Sequence, residues 1–115
     1  MSATLLALYR RSVGADETTF AEFRRRYAAE HLPLIRAVPG LSSLHVGAVT
    51  EGWGSDLSLV CRMVFADRLA LEAALASEPM RAARRNLREI AAGMPEMVIV
   101  EPDPTLESGT GGQPE

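Results

Sequence analysis

The chain of 115 residues contains no lysine, a single cysteine and few aromatic side chains, which make up 5% of it. Without lysine it can form neither a lysine Schiff base nor the lysine–phosphate contact of a P-loop. The single cysteine, Cys61, excludes an internal disulfide framework and a cysteine-rich zinc site, and it fits a reducing compartment. We therefore expect a cytoplasmic protein.

The chain has no excess of positive charge, because its twelve arginines are outnumbered by fifteen acidic residues and the formal net charge is −3. This balance offers no cationic surface for DNA or RNA. No apolar run approaches the roughly 18–20 residues of a membrane span. The first residues also lack the basic stretch that opens a signal peptide. The sequence thus predicts neither a nucleic-acid partner nor a membrane partner.

Hydrophobic residues form 47% of the chain and charged residues 23%, as in an average folded domain. The length fits one such domain. Residues 102–115 are rich in proline, glycine, serine and acid, so we expect a disordered acidic tail behind a folded domain of residues 1–101. Because the tail has no periodic apolar residues, we expect it to be dispensable for folding.

Hydrophobic periodicity divides the domain into strand, helix, strand, strand, helix and strand. Short apolar or alternating runs predict strands at residues 4–10, 41–49, 57–65 and 97–100. A capping box at Thr19 predicts the start of the first helix, and Pro33 is expected to end or kink it. The second helical region is expected to begin after Asp67 and to restart after Ser77, with a buried stripe of Met80, Ala83, Leu87 and Ile90.

This order of elements predicts an α+β fold of the ferredoxin-like βαββαβ type, an antiparallel four-stranded sheet with both helices on one face. Two helices cover only one face of such a sheet. Val60 and Val64 nevertheless place apolar side chains on the other face. We therefore expect a homodimer that packs sheet against sheet as a dimeric α/β barrel, with larger assemblies left open.

His31 is the most informative single residue. Helical spacing places it on the same side of the first helix as Phe20, Tyr27 and Leu34. In one interpretation it is a core histidine that is bonded to a backbone carbonyl. In the other it is a neutral histidine that lines a cavity and transfers protons near pH 7. The pattern by itself leaves both interpretations open.

Three short segments carry a further pattern: Phe20-x-x-Phe23-x-x-x-Tyr27-x-x-x-His31-Leu32-Pro33-Leu34, Pro39-Gly40-Leu41 and Ser77-Glu78-Pro79-Met80. This pattern resembles the EthD-like family of the dimeric α/β barrel superfamily, over residues 4–100. The resemblance implies a dimer of ferredoxin-like protomers, each with a cleft between helices and sheet for small, largely apolar, often cyclic molecules. Chemistry across the superfamily includes cofactor-free oxygenation, lactone isomerisation, decarboxylation and polyketide cyclisation, and the fold does not choose among them.

The resemblance carries His31 over as the residue that lines the cleft and transfers a proton. On this basis we expect a cofactor-independent enzyme of small-molecule catabolism that acts on an apolar, cyclic or aromatic substrate. It would be an oxidoreductase of monooxygenase type, an isomerase or a lyase. The alternative is a non-catalytic small-molecule-binding or regulatory dimer, which needs a pocket but no titrating residue.

Six further residues are candidates for substrate binding: Tyr9, Phe23, Tyr27, Leu34, His45 and Arg62. The Tyr9 hydroxyl either reaches the mouth of the cleft or is satisfied within the core. Arg62, in an apolar strand, is either an edge residue that reaches water or an anion clamp inside the barrel. His45 is an exposed or interface histidine, or a second titrating group.

Two other expectations concern residues without a predicted role in the site. Two histidines far apart, with no acid cluster near them, do not favour a metal site, so no metal is expected. Cys61 lies inside a strand and is expected to be an inert small hydrophobe. The remaining helix arginines, Arg84 among them, are expected largely on solvated faces.

Overall fold

The computed structural model describes residues 2–11, 17–91 and 93–107. The four short apolar or alternating runs of the sequence form four strands in it. The strands are β1 (Ala3–Arg10), β2 (Leu41–Ala48), β3 (Leu57–Phe65) and β4 (Glu96–Val100). All neighbours pair antiparallel, in the order β2-β3-β1-β4. This is the strand order of the ferredoxin-like fold, so the predicted fold class is confirmed.

The first helical region consists of α1 (Glu17–Arg26), a π-helical turn (Tyr27–His31) and α2 (Leu32–Arg36). Because α1 begins before Thr19, that residue lies inside the first turn and the predicted helix start is wrong. Pro33 was expected to end or kink the helix. The helical region continues through it as the first turn of α2, but its regular α geometry is interrupted by the π turn directly before Pro33. In the π turn the Leu32 N–H donates to the Tyr27 carbonyl five residues earlier, which widens the backbone ahead of the proline ring.

The second helical region consists of α3 (Arg68–Leu75) and α4 (Glu78–Ile90). Both predicted N-caps are confirmed, because the Asp67 carboxylate accepts from the Ala70 N–H and the Ser77 hydroxyl accepts from the Met80 N–H. The predicted stripe of α4 is buried: Met80, Ala83, Leu87 and Ile90. No helix in the described ranges is both long and apolar enough to cross a bilayer.

The core lies between the helices and one face of the sheet. Alternate residues of the two central strands are buried there: Ala3, Leu5, Ala7, Tyr9, Leu59, Cys61, Met63 and Phe65. Residues of the opposite parity point to the second face, where Leu6, Leu8, Val60 and Val64 are only half-buried in the single chain. The sheet therefore has two apolar faces, of which the helices bury one.

The segment predicted as a tail begins with local structure. Residues Pro104–Glu107 form the helical turn α5, in which the Asp103 carboxylate accepts from the Thr105 N–H. A capping aspartate followed by proline favours such a turn, which corrects the prediction of disorder for these residues. Residues 108–115 lie outside the described part of the chain.

Removal of residues 102–115 is expected to change the melting temperature by no more than about 2–4 °C, as for a surface substitution. The physical reason is that Leu106, the large apolar residue of α5, is 78% exposed and buries little surface. The truncation also keeps Glu101, which pairs with Arg68 at 3.0 Å. Differential scanning fluorimetry provides the measurement. Leu71→Ala is the contrasting control, since this fully buried side chain should cost about 2–5 kcal/mol. A truncated chain that melts as low as Leu71→Ala would contradict the prediction.

Candidate functional site

A cavity of about 250 Å³ lies between the helices and the buried face of the sheet. Its wall is mainly apolar and includes Leu5, Ala7, Met63, Met80, Leu87 and Ile99. An apolar cavity of roughly 150 Å³ accepts benzene, so this space accommodates a molecule larger than a single ring. An apolar cleft of this kind is the usual form of a small-molecule site.

Four polar side chains face this apolar space. Tyr9, Tyr27 and His31 are buried, with exposed fractions of 1%, 3% and 4%, and Arg84 is half-buried. A few convergent polar groups within apolar walls orient a bound molecule and are typical of ligand sites. Two of the three buried groups, Tyr27 and His31, come from the π turn.

The π turn places the rings of Tyr27 and His31 side by side, with their centroids 4.9 Å apart. Tyr27 is held in turn by an aromatic cluster, edge-on to Tyr9 at 5.3 Å and tilted against Phe23 at 5.6 Å. Isolated π turns in proteins occur often at functional sites. Here the turn fixes a phenol and an imidazole next to each other at the cavity wall.

The Tyr27 hydroxyl is buried and has no hydrogen bond of good geometry among the described residues, although the Tyr9 hydroxyl and the Cys61 thiol lie near it. Leaving a buried hydroxyl unsatisfied costs about 1–3 kcal/mol, which a ligand oxygen in the cavity would recover. Burial also raises the pKa of Tyr27 and that of Tyr9 well above the ordinary tyrosine value. Both phenols therefore stay protonated and able to donate a hydrogen bond.

A chain of polar contacts holds His31 from behind. Its Nδ1 lies 3.2 Å from Asn86 Oδ1, and Asn86 Nδ2 donates to Glu30 Oε1 at 3.1 Å. Arg26 in turn donates to both oxygens of Glu30, at 2.8 and 3.1 Å. Because the carboxylate can only accept, the Asn86 amide must present its oxygen to His31. The neutral ring is thus protonated at Nδ1, and Nε2 carries the free lone pair.

Burial lowers the pKa of His31, because desolvation disfavours the imidazolium, and the hydrogen bond with Asn86 offsets part of this effect. The ring is therefore neutral at pH 7. A neutral imidazole with an unprotonated Nε2 is a proton acceptor. The arrangement can remove a proton from a bound molecule and return it.

Substituting leucine for Asn86 is expected to lower the pKa of His31 further, since the bond that favours the imidazolium is lost. Asn86→Asp should raise it, because a carboxylate would stabilise the cation. A nitrogen-detected NMR titration of the ring reports both the pKa and the tautomer. Arg88→Gln, an exposed change on the same helix, serves as the control. A wild-type ring protonated at Nε2, or a higher pKa in Asn86→Leu, would show that this arrangement is wrong.

Three of the residues predicted for the site line the cavity: Tyr9, Tyr27 and His31. Phe23 is buried behind them and supports Tyr9 and Tyr27 without reaching the cavity. Leu34 packs against the core, and its neighbour Ile35 takes the place in the wall. The wider π turn has more residues per turn than an α-helix, so the inward position falls four residues after His31 rather than three.

His45 and Arg62 lie elsewhere. They are partners across β2 and β3, and strand alternation directs both to the second face of the sheet, away from Cys61 and Met63. Neither residue therefore lines the cleft of its protomer. His45 is exposed, as one of its two alternatives predicted, and Arg62 is exposed on the face that the proposed barrel would enclose. This placement also puts the two histidines on opposite sides of the sheet. Within the described ranges no three His, Cys, Asp or Glu side chains are grouped in a way that could hold a metal ion.

Two residues of the site, Asn86 and Arg84, were not predicted. Arg84 lies four residues after Met80 and three before Leu87, so helical spacing could have placed it beside the buried stripe. Its charge instead suggested a solvated face. Asn86 has no such pattern, because its role depends on His31, which lies 55 residues earlier in the chain.

Comparisons with known proteins place this geometry in context. No protein-family model matches the chain, and no curated protein does. Among solved structures, an EthD family protein from Bacillus halodurans matches with a TM-score of 0.76 and 24% identity, over 90% of this chain and 100% of that one.

Two further structures show how widely this architecture is shared. A dimeric ferredoxin-like protein of unknown function from Bacteroides fragilis has a TM-score of 0.63 and 13% identity, over 87% of this chain and 95% of its own. SnoaB, a cofactor-independent oxygenase from Streptomyces nogalater, has a TM-score of 0.56 and 20% identity, over 88% of this chain and 92% of its own. The resemblance predicted from the sequence is thus confirmed for the fold: this chain is built on the ferredoxin-like architecture of the EthD family protein.

Proposed function

We propose that the chain is a small enzyme that acts without a cofactor on an apolar cyclic or aromatic molecule, with His31 as its proton-transfer group. One observation carries this proposal. A buried imidazole, kept neutral by desolvation and oriented by Asn86, stands at the wall of an apolar cavity. A structural histidine would need no cavity beside it.

The chemistry follows from the two groups of the π turn. His31 Nε2 takes a proton from a carbon next to a ligand carbonyl, and the electron pair moves onto the carbonyl oxygen. The Tyr27 hydroxyl donates a hydrogen bond to that oxygen as its negative charge develops. The enolate formed in this way is an electron-rich intermediate suited to oxygenation, isomerisation or cyclisation.

The fold comparison supports this class of reaction without choosing one. SnoaB is a cofactor-independent oxygenase, so this architecture is compatible with such chemistry. An oxidoreductase of monooxygenase type, working in small-molecule catabolism in the cytoplasm, is therefore one form that the proposal takes. An isomerase or a lyase would use the same proton transfer.

We also infer that the working unit is a homodimer. The second face of the sheet carries half-buried apolar residues, Leu6, Leu8, Val60 and Val64, for which a second copy is the simplest cover. The ferredoxin-like protein from Bacteroides fragilis is described as dimeric. Packing through this face leaves the cavity, which lies on the other side of the sheet, to each protomer.

A neutral bicyclic ketone, 2-tetralone, tests the proposed function. It has acidic C–H bonds next to its carbonyl, and their exchange for deuterium in D₂O is measured by proton NMR. We expect the protein to accelerate this exchange, with saturation as the ketone concentration rises. If the protein binds 2-tetralone without accelerating the exchange, the result would contradict the proposed enzyme and favour a non-catalytic binding module. A protein that neither binds 2-tetralone in a thermal-shift assay nor accelerates its exchange would overturn the proposal.

A further inference from the structure

We propose that the cavity takes a cyclic molecule that carries an anionic oxygen, above all a carboxylate, and that the Arg84 guanidinium holds this group. The inference rests on the proposed function, because it names the class of substrate for the same site. It goes beyond that function in predicting a charged end on an otherwise apolar ligand.

The first observation is the state of the Arg84 side chain. It is half-buried at the cavity wall, and its single hydrogen bond with a described residue is a long one of 3.4 Å, to the Leu75 carbonyl. The neighbouring arginines of α4 differ, since Arg81 and Arg85 are exposed and both pair with Glu78 at 3.0 Å. Within the described part of the chain, Arg84 makes no ion pair.

The second observation is its surroundings. Among the described residues of the wall, Arg84 is the one that carries a full charge, because His31 is neutral. A guanidinium beside apolar walls has lost part of its hydration without gaining a counter-charge. Its planar fork of N–H donors matches a carboxylate in a two-bond arrangement. A ligand carboxylate would supply the counter-charge and the hydrogen-bond acceptors that the described residues do not provide to Arg84.

The third observation is the position of Arg84 relative to His31. Arg84 and Asn86 lie about 200° apart around α4 at roughly 100° per residue. The Asn86 side of the helix holds His31, and the Arg84 side contacts the end of α3 at Leu75. The cavity lies between them, against Ala83 and Leu87. A ligand anchored at Arg84 would thus extend its apolar rings across the cavity toward the imidazole.

Two probes of the same shape test this inference. 2-Naphthoate and 2-naphthamide share one bicyclic ring system and differ in charge, and isothermal titration calorimetry at pH 7 gives both affinities. We expect the wild-type protein to bind the carboxylate about tenfold more tightly, as a charge-assisted bond implies. Arg84→Gln should remove this preference, because it weakens binding of the carboxylate much more than binding of the amide, whose neutral oxygen gains less from the cation. Arg88→Gln, which removes an equal charge from an exposed position of α4, should keep the preference.

The outcomes separate this inference from the function on which it rests. Equal affinities for the two probes, or a preference that persists in Arg84→Gln, would overturn the anchor and leave the cavity as a binding site. A melting temperature of Arg84→Gln close to that of Arg88→Gln, with measurable binding of the amide, shows that the variant is folded with its cavity intact. Failure of both probes to bind the wild-type protein would overturn the binding site itself, and the anchor with it.

Discussion

Replacing His31 with glutamine is expected to lower the protein-dependent exchange of 2-tetralone by about 10²–10⁴-fold, the usual contribution of general base catalysis. Glutamine keeps a polar side chain that can bond to Asn86, but it cannot accept a proton at neutral pH. The affinity for the ketone should therefore change little. Exchange is followed by proton NMR in D₂O, and affinity by calorimetry.

Two companion variants make this result specific. His45→Gln changes the other histidine, which lies on the far face of the sheet, and should exchange the ketone at the wild-type rate. His31→Leu suits the apolar cavity, so it should fold and lose activity as His31→Gln does. Full activity in both His31 variants would exclude its role as base. If both fail to fold, as judged by circular dichroism, His31 is instead a structural residue that holds the helix end.

The protein-dependent exchange rate is also expected to decrease as the pH is lowered, because protonation of His31 occupies the nitrogen that accepts the proton. Since burial places its pKa below the ordinary value of 6.5, the midpoint of this decline should lie below pH 6.5. Asn86→Asp should move the midpoint upward. A midpoint that does not respond to this variant would mean that another group titrates.

Introducing an aspartate at Val60 is expected to destroy the dimer and to leave aggregated or unfolded protein rather than a stable monomer. Val60 pairs with Leu8 across the two central strands on the second face, where two copies of the chain are proposed to meet. An unpaired carboxylate buried there costs several kcal/mol, and two-fold symmetry applies this cost twice. Sedimentation velocity measures the assembly and circular dichroism the fold.

Leu69→Asp is the matched control for this experiment. Leu69 is 77% exposed on α3, so the same charge introduced there should leave both the dimer and the fold intact. A wild-type protein that is well folded and monomeric at micromolar concentration would refute the dimer directly. So would a Val60→Asp variant that sediments as the wild type does.

Much of the fold could be predicted because it depends on neighbours in the chain. The alternation of side chains in residues 57–65 predicted β3 with the bounds that the structure has. Successive residues of a strand point to opposite faces, so one buried face appears in the sequence as an apolar residue at every second position. The caps at Asp67 and Ser77 were predicted for the same reason, since each bonds to an N–H three residues later. The prediction of a helix start at Thr19 was wrong, because the same local pattern can also occur inside the first turn of a helix.

The site could be predicted only in part. Tyr27 and His31 follow helical spacing closely enough to have been placed on one side of their helix. Leu34 was predicted where Ile35 lines the wall, because a π turn has no sequence signature comparable to a cap. His45 and Arg62 were candidates on residue type, with positions outside the cleft left open. Arg62 shares the parity of Val60 and Val64, so strand alternation already indicated the second face for it.

The sequence by itself determined the four strands, the two helical regions between them, their order and the two apolar faces of the sheet, because these follow from periodicity and capping within a few residues of each position. The tertiary structure alone decided the chemistry at His31. Asn86 lies 55 residues away along the chain, yet it bonds to the ring and selects the nitrogen that can accept a proton. Packing of α4 against the π turn brings the two together, and no local pattern records a contact over that distance.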